Sequence, residues 1–376
     1  MSFIGKFTRR FRFGRYLTYM KYNFGPLVKL DSLKEIAPTI GAVARGFSPV
    51  QTKVFGYARL TPEERQRYIS NFEIREWLCR KNDRSTAGFS WKSILDNKYL
   101  FHTFCKANGI AVPELYGLFD PGVGFTSAGA SLKTGTDFDN FLRNLDTQQL
   151  AIKPVLGSKG HGIYLVDQIS RDDQIKLTLA SGEQIGSQEL VAKMLANPLT
   201  KAHIIQERVK QHPDLDKIYS GSLNTIRIAV LRRSNGEPYF WFAALRTGAR
   251  PGPDNISLGG LAIYIDLQTG ILGHGRYNYK PVAEKTEVHP VSGYNFYGMP
   301  MPYWKEIIEL VKKAMHCMPY FVGVGWDVAV SDQGPMLIEG NDNFQLMLGQ
   351  IHKPGTLLTD EVMDIIEHYG LKKFKR

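Results

Sequence analysis

Residues 326–341, WDVAVSDQGPMLIEGN, contain two short apolar runs separated by turn-forming residues. The runs Trp326–Val330 and Met336–Asn341 are typical of strands, and Ser331–Gly334 between them is typical of a turn. The stretch therefore predicts two neighbouring strands joined by a short turn.

Polar side chains in this hairpin indicate a metal site. The turn brings Asp327 beside Glu339 and Asn341, and the last two leave the same face because side chains alternate along a strand. Two carboxylates and an amide oxygen on one face are the hard ligands that suit Mg²⁺. The alternative is that these acids are solvated on an outer face. The apolar neighbours Val328 and Leu337 favour the metal, because unpaired acids on a covered sheet are costly.

A glycine loop is the second informative stretch. Residues 153–163, KPVLGSKGHGI, contain three glycines within six residues and lie between predicted strands at Leu150–Val155 and Gly162–Val166. A loop between two strands excludes the Walker loop and the dinucleotide fingerprint, both of which open a helix. Glycines let main-chain N–H groups approach an anion, and Lys153 and Lys159 add positive charge for phosphate. An ordinary flexible hairpin is the alternative.

Two arginines accompany apolar strands. Arg227 lies inside the predicted strand Thr225–Arg232, and Arg246 follows the predicted strand Tyr239–Leu245. A guanidinium in such a place usually has an anionic partner, which is either an internal carboxylate or a bound oxyanion. The sequence leaves both alternatives open.

The remaining elements favour a mixed fold. The capping box at Thr61–Glu64 predicts a helix that runs to about Lys81, and a second helix is expected from Asn97 to Asn108. Helices and strands do not alternate strictly. This favours α+β or an antiparallel-rich α/β fold over a doubly wound parallel sheet.

Length and composition are those of an ordinary globular protein. The chain has 376 residues, of which 43% are hydrophobic and 22% charged, and this excludes wholesale disorder and fibrous repeats. No run of about 18 apolar residues predicts a membrane span, and arginines interrupt the N-terminus where a signal peptide would be apolar. Three scattered cysteines argue against a disulfide framework. A reducing, cytoplasmic location is the resulting expectation.

Positive charge is concentrated at one end of the chain. Residues 1–60 hold 11 Lys or Arg against 2 Asp or Glu, a balance of +9, so residues 61–376 carry only +2 of the total of +11. The segment Lys6–Gly25 mixes these cations with Phe and Tyr. This pattern predicts peripheral contact of residues 1–60 with an anionic membrane or another polyanion, and a solvated helix or arm whose aromatic residues pack on the main domain is the alternative. No nucleic-acid partner is expected, because no recognition motif accompanies the charge.

The order of these features resembles the ATP-grasp superfamily over about residues 90–350. A helical lysine (Lys98) is followed by the lysine and glycine hairpin from Lys153, by IIQERV at 204–209 and by NTIR at 224–227, with the acidic hairpin last. The ordered set is most similar to the sugar-transfer-associated ATP-grasp proteins. It implies an α+β ATP-grasp fold, in which two α/β subdomains with antiparallel-rich sheets clamp ATP, plus a basic helical N-terminal extension. The implied parts are a basic aromatic arm (1–60), a helical N-terminal region (61–96), a small subdomain with a glycine flap (97–208) and a large subdomain with the metal site (209–376).

The resemblance also implies a role for each matching residue. Lys98 and Lys153 match the two lysines that contact the ATP phosphates. The flap over the phosphates matches Gly157, Ser158, Lys159, Gly160, His161 and Gly162. The hinge that reads adenine matches Gln206, Glu207 and Val209, and Asp214 is the candidate for the ribose. The Mg²⁺ ligands match Asp327, Glu339 and Asn341. Arg227 and Arg246 match positions near the γ-phosphate and the substrate carboxylate, and they act in catalysis with Lys153. No dedicated general base is evident, and His161 is either such a base or a surface residue.

The implied activity is an ADP-forming carboxylate–amine ligase that works through an acyl phosphate, with ATP and Mg²⁺ as cofactors. Its expected substrates are a small-molecule or sugar-linked carboxylate and an amine such as an amino acid, in the assembly of cell-surface polysaccharide or a related conjugate. The expected location is cytoplasmic, at the inner face of the membrane if residues 1–60 bind lipid. The alternatives are a kinase on the same fold and a non-catalytic nucleotide-binding scaffold.

Overall fold

The structure is a computed structural model. It describes residues 36–70, 72–74, 78, 82, 90–157, 160–249, 260–277, 280 and 284–370. In chain order the helices are α1 (Ile36–Ala44), α2 (Pro49–Val54), α3 (Pro62–Gln66), α4 (Ser93–Asp96), α5 (Lys98–Ala107), α6 (Gly135–Arg143), α7 (Ser187–Leu195), α8 (Pro213–Ile218), α9 (Trp304–Cys317), α10 (Met347–His352) and α11 (Asp360–His368), with a 3₁₀ turn at Tyr57–Arg59.

The strands form two antiparallel sheets. They are β1 (Leu115–Phe119), β2 (Phe125–Thr126), β3 (Leu150–Pro154), β4 (Tyr164–Arg171), β5 (Ile175–Leu179), β6 (Gln184–Gly186), β7 (His203–Glu207), β8 (Thr225–Arg232), β9 (Pro238–Thr247), β10 (Leu261–Ile265), β11 (Leu272–Arg276), β12 (Gly323–Ser331) and β13 (Gly334–Asn341). The seven-stranded sheet has the order β2-β1-β7-β3-β4-β5-β6, and the six-stranded sheet has the order β11-β10-β9-β8-β12-β13. The mixed α+β fold class with antiparallel-rich sheets is thereby confirmed.

The seven-stranded sheet has one apolar face and one face with polar positions. Ile152 and Ile205 are register partners with no exposed surface, and they belong to the core that also contains side chains of α6 and α7. Because side chains alternate, the neighbouring partners Lys153 and Ile204 lie on the opposite face. Gln206, two residues after Ile204, shares that face. The sheet therefore presents Lys153 and Gln206 away from its helix-covered side.

The six-stranded sheet is buried at its centre. Every residue of β8 and β12 is buried, which explains why both strands are nearly continuous apolar runs. Gly325 in β12 has no room for a side chain, because a Cβ there would lie 2.4 Å from the Cβ of Phe344. A charged residue in these strands is therefore held inside the protein and needs an internal partner or a ligand.

The chain divides into two compact units. One comprises residues 1–77, 276–285 and 345–376, and the other comprises residues 78–275 and 286–344. Both sheets lie in the second unit, apart from Arg276 at the end of β11. In the first unit, an aromatic cluster packs ring against ring, and its members are Phe47, Phe55, Tyr57 and Tyr68. The four-part division made from the sequence remains a prediction.

The long helix predicted over residues 61–81 is wrong in its length. The capping box at its start is present, but α3 covers only Pro62–Gln66. A second cap follows, in which the Glu73 N–H donates to Ser70 Oγ at 3.0 Å and the Ser70 N–H donates to the Glu73 carboxylate at 2.8 Å. The Arg45 guanidinium also binds carbonyl oxygens on both sides of the break. Local side-chain hydrogen bonds thus end one helix and begin another.

The predicted basic arm lies largely outside the described residues. The described part of residues 1–60 begins at residue 36 and contains α1, α2 and the 3₁₀ turn. Within the part of the chain that the structure describes, no helix combines the length and apolar character needed to cross a membrane.

Candidate active site

The acidic pair sits where β12 and β13 run side by side. Asp327 and Glu339 are direct register partners, and Asn341 lies opposite Gly325. The Asn341 amide Nδ2 donates to Glu339 Oε1 at 3.2 Å. Asp327 is 1% exposed. The structure thus brings together the three residues that the sequence grouped as metal ligands, with Asp327 inside the protein and Glu339 half-buried.

Two arginines bind Asp327 directly. Arg227, its register partner on β8, donates from Nε to Oδ1 and from Nη2 to Oδ2, the latter at 3.1 Å. Arg246 Nη2 also donates to Oδ2, at 2.9 Å. Of the two alternatives left open by the sequence, both arginines adopt the internal ion pair. The side chain of Arg246 is nevertheless 17% exposed, against 8% for Arg227, so Arg246 is the more accessible to an anion.

The NTIR motif explains how these arginines are held. The buried Asn224 amide donates to the carbonyls of Leu215 and Tyr219 at 2.9 and 2.8 Å, which ties α8 to the start of β8. Thr225 Oγ1 accepts two hydrogen bonds from Arg246, at 3.1 Å from Nε and 2.6 Å from Nη2. The Thr225 hydroxyl therefore orients a guanidinium on the neighbouring strand. No role for Thr225 was predicted from the sequence, although its direct pairing with Arg246 follows from the strand register.

The two carboxylates have opposite pKa shifts. Burial alone would raise the pKa of Asp327, but the charges and hydrogen bonds of Arg227 and Arg246 lower it. Burial raises the pKa of Glu339, and the neighbouring Asp327 charge adds to this effect. Lys98 and Arg227 oppose the rise without cancelling it. Glu339 is consequently the acid of the site that most needs a nearby cation.

Two lysines approach the same carboxylate from the seven-stranded sheet and α5. Lys98 begins α5, whose N-cap Asn97 accepts from the Tyr99 and Leu100 N–H groups, and its Nζ donates to the Gly157 carbonyl at 2.9 Å. Lys153 Nζ donates to Gln206 Oε1 at 3.1 Å. Burial lowers the pKa of both lysines, that of Lys153 to about 8, while the Glu339 charge opposes the shift in each.

A pocket joins these groups. Its walls combine apolar side chains with a few polar ones, and the lining residues are Lys98, Phe101, His102, Val112, Pro113, Lys153, Ile163, Ile204, Gln206, Leu337, Ile338 and Glu339. Mostly apolar walls with a small number of converging polar groups are typical of small-molecule sites. His102 was not predicted from the sequence. Its position four residues after Lys98 places both on one helix face, and this spacing was the available signal.

The glycine loop connects β3 and β4, which pair as an antiparallel hairpin. Gly157, Gly160 and Gly162 have φ values of 148°, 74° and 73°, conformations that other residues rarely adopt. His161 is exposed, whereas Ser158 and Lys159 lie outside the described residues. The predicted hairpin is therefore present, and its contact with phosphate remains a prediction.

The residues predicted to bind adenine and ribose differ in their positions relative to the pocket. Gln206 faces the pocket, and Glu207 pairs through its backbone with Glu114 at 2.9 Å. Val209 follows the end of β7 and is half-buried. The Asp214 carboxylate forms an ion pair with Lys217 at 2.8 Å, and Asp214 is not among the lining residues of the pocket described above. Its assignment to the ribose gains no support from this placement.

Comparison with known families then places the chain. The sequence matches the model of the family described as sugar-transfer associated ATP-grasp over residues 79–364, which is well over half of its length. The chain belongs to this family. This confirms the resemblance and the ATP-grasp fold. No curated protein matches the sequence.

Solved structures give a weaker likeness to this ATP-grasp chain. Biotin carboxylase from Campylobacter jejuni is 11% identical, with 75% of this chain and 47% of that chain covered and a TM-score of 0.45. The biotin carboxylase domain of Hydrogenobacter thermophilus 2-oxoglutarate carboxylase, in complex with MgADP, is 13% identical, with 74% and 46% covered and a TM-score of 0.41. D-alanine–D-alanine ligase from Helicobacter pylori is 12% identical, with 73% and 60% covered and a TM-score of 0.41.

The chain spans about half the length of these solved structures. Their TM-scores are below 0.5, so the family assignment rests on the family match alone.

Proposed function

We propose that this ATP-grasp protein is an ADP-forming carboxylate–amine ligase. The observation that carries the proposal is the shared pocket of Lys98, Lys153 and Glu339, next to the cluster of Asp327 with two arginines. Two half-buried lysines that form no ion pair with a carboxylate among the described residues are suited to the phosphates of a nucleotide. The more accessible arginine of the Asp327 cluster, Arg246, is suited to a second anion, the substrate carboxylate.

The proposed reaction activates a carboxylate, because oxide is too poor a leaving group for direct attack by an amine. A carboxylate oxygen forms a bond to the γ-phosphorus of ATP, and the bond to the β-phosphate oxygen breaks to release ADP. The amine then attacks the acyl carbon, the carbon–oxygen bond to phosphate breaks, and the amine loses a proton. The products are an amide, ADP and phosphate.

The chain's own residues supply position and charge in this scheme. Lys98 and Lys153 bind the nucleotide phosphates, and Arg246 holds the substrate carboxylate while Thr225 fixes its direction. The loop of Gly157–Gly162 covers the phosphates and excludes water, which would hydrolyse the acyl phosphate. Such catalysis consists mainly of positioning and electrostatic stabilisation.

Magnesium fits the donor set of the site. Asp327 and Glu339 are direct register partners on neighbouring strands, and the Asp327 charge contributes to the raised pKa of Glu339. Two adjacent carboxylates are stabilised by a proton or a cation between them. No group of three or more His, Cys, Asp or Glu side chains suited to a metal occurs among the described residues. Asp327, Glu339 and the Asn341 amide would hold Mg²⁺ together with phosphate oxygens, and the ion would neutralise charge on those oxygens.

The family description and the charge distribution support a proposal for the substrate class. We propose a small-molecule or sugar-linked carboxylate and an amine such as an amino acid, in the assembly of cell-surface polysaccharide or a related conjugate. Residues 1–60, with their balance of +9 (11 basic and 2 acidic residues), would hold the enzyme at the inner, anionic face of the membrane.

The reaction is tested by ADP release over pooled carboxylates and amines, with mass spectrometry of any product. A ligase releases ADP only when both an acid and an amine are present, and its product contains no phosphorus. A product that retains phosphate would identify a kinase, and nucleotide binding without turnover would identify a scaffold. Lys153→Met should lower turnover by about 100-fold or more, whereas Lys193→Met, an exposed lysine in surface ion pairs, should not.

The membrane proposal needs the full chain, because Phe47, Phe55 and Tyr57 pack in a cluster that a deletion of residues 1–60 would remove. Four serine substitutions, at Arg9, Arg10, Arg12 and Arg15, should abolish co-sedimentation with vesicles that contain phosphatidylserine. The matched control places four serines at exposed lysines of the body, which are Lys133, Lys176, Lys201 and Lys305. Equal binding by both variants would contradict the proposal.

A further inference from the structure

His102 links the pocket wall to Lys153 through one intermediate side chain. It lies on α5 and is 6% exposed, and its Nδ1 is 3.4 Å from Gln206 Nε2. Gln206 Oε1 accepts a hydrogen bond of 3.1 Å from Lys153 Nζ. The three side chains therefore form a continuous row from α5 across β7 to β3.

The orientation of the Gln206 amide is set by two partners, one of which can only donate a hydrogen bond and the other of which can only accept one. The Lys153 ammonium can only donate, so the amide atom that faces it is the oxygen. The Pro113 carbonyl, 3.4 Å from Nε2, can only accept, so that atom is the amide nitrogen. The N–H group of Gln206 consequently faces His102 Nδ1, which must accept. The imidazole is therefore neutral, with its proton on Nε2.

Protonation of His102 would break this row. An Nδ1–H group would then face the Gln206 N–H, and rotation of the amide would only move the conflict to Lys153. The charged groups around the imidazole are Lys106 on the same helix, Glu114 before β1 and Lys153 on β3. Burial lowers the pKa of His102, and the two lysines reinforce this effect while Glu114 opposes it. The neutral form is accordingly the stable one at pH 7.

We propose that His102 is a positioning residue that holds the Gln206 amide, and through it Lys153, in the orientation that receives a nucleotide phosphate. This inference rests on the proposed ATP site. It predicts that nucleotide affinity declines on the acid side as His102 gains a proton. A leucine at this position would leave the amide free to turn, and a residue with a fixed acceptor would restore the row without titrating.

The test measures binding of a non-hydrolysable ATP analogue with Mg²⁺ by calorimetry, from pH 5 to pH 8, in the full chain and two variants. His102→Leu removes the acceptor and should weaken binding by roughly tenfold at pH 7.5, as expected for a lost hydrogen bond to a group that orients a charge. His102→Asn keeps an acceptor oxygen near the position of Nδ1. It should bind within about threefold of the unmodified protein at pH 7.5 and more tightly than that protein at pH 5. Because the analogue itself titrates, the affinities are compared as ratios at each pH.

The outcomes separate this inference from the proposed function. Unmodified protein that binds no nucleotide at any pH would overturn both. Nucleotide binding in which both variants follow the unmodified pH profile, with unchanged affinity, would overturn the role of His102 alone. If His102→Leu does not fold, as shown by its thermal melt, the pH profile of His102→Asn decides: a constant ratio to the unmodified protein contradicts the inference, and a rising ratio towards pH 5 supports it.

Discussion

The charged side chains of the six-stranded sheet and those of the seven-stranded sheet and α5 have opposite kinds of partner. On the six-stranded sheet, Arg227 and Arg246 both bind Asp327, so the Asp327 charge is compensated inside the protein. On the other side, Lys98 and Lys153 bind only a carbonyl and an amide oxygen, and neither pairs with a carboxylate among the described residues. Burial lowers the pKa of both lysines as a result. In the first group both arginines stabilise the fold through Asp327, and the more exposed Arg246 is also accessible to an anion, whereas the two lysines are prepared for an anionic ligand.

The largest effect that this difference predicts is on stability. Asp327→Ala would leave two arginines without their anion, one of them fully inside the sheet, and should lower the free energy of unfolding by about 3–5 kcal/mol. Urea unfolding measures this change. The control is Asp167→Ala, which removes a surface pair with Arg208 and should cost about 0–1 kcal/mol. Similar, small losses in both variants would show that the Asp327 cluster does not stabilise the fold.

The second prediction concerns the loss of nucleotide affinity at alkaline pH. The pKa of Lys153 is lowered to about 8, so its positive charge is present below that pH and is lost above it. Affinity for an ATP analogue should therefore fall as the pH rises through about 8, by up to about tenfold per pH unit. Lys153→Arg keeps its charge throughout and should remove the alkaline decline. A decline of the same size in the arginine variant would exclude Lys153 as its cause.

Several strands of the two sheets and the position of the acidic pair could be predicted from the sequence. Alternating and continuous apolar runs correctly predicted β8, β12 and β13, and the hairpin spacing correctly placed Asp327 beside Glu339. The strand β5, IKLTL, was missed although it alternates strictly between buried and less buried positions. The strand β11, LGHGR, was missed because two glycines in five residues do not favour a strand. The pairing of both arginines with one aspartate depends on long-range strand order, which no local pattern encodes.

The third prediction uses Glu339, the acid with the raised pKa. Its ionised form is unfavourable in the fold, so Glu339→Gln should raise the melting temperature at pH 8, where the carboxyl group of the unfolded chain is ionised. The gain should vanish below pH 4.5, the ordinary value for this group, where both side chains are neutral. The same variant should lose the added stability that Mg²⁺ and nucleotide give to the unmodified protein. Glu183→Gln, at an exposed acid, is the control and should show neither effect.

The smallest expected effect is at Thr225. Thr225→Val removes the hydroxyl that accepts two hydrogen bonds from Arg246, whereas Thr225→Ser keeps it. The valine variant should raise the KM for the carboxylate substrate by about five- to tenfold, the equivalent of one hydrogen bond of about 1 kcal/mol, with kcat changed less. The serine variant should restore the KM. An equal rise in both variants would show that packing, and not orientation of Arg246, is responsible.

The most direct test of the account is calorimetric titration of a non-hydrolysable ATP analogue with Mg²⁺ into the full chain at pH 7.5, alongside Lys153→Met. The account predicts one nucleotide bound per chain, and binding at least about 100-fold weaker in the variant because a buried phosphate-binding charge is lost. Absence of binding by the unmodified protein, or equal affinity in the two proteins, would contradict the assignment of this pocket to a nucleotide.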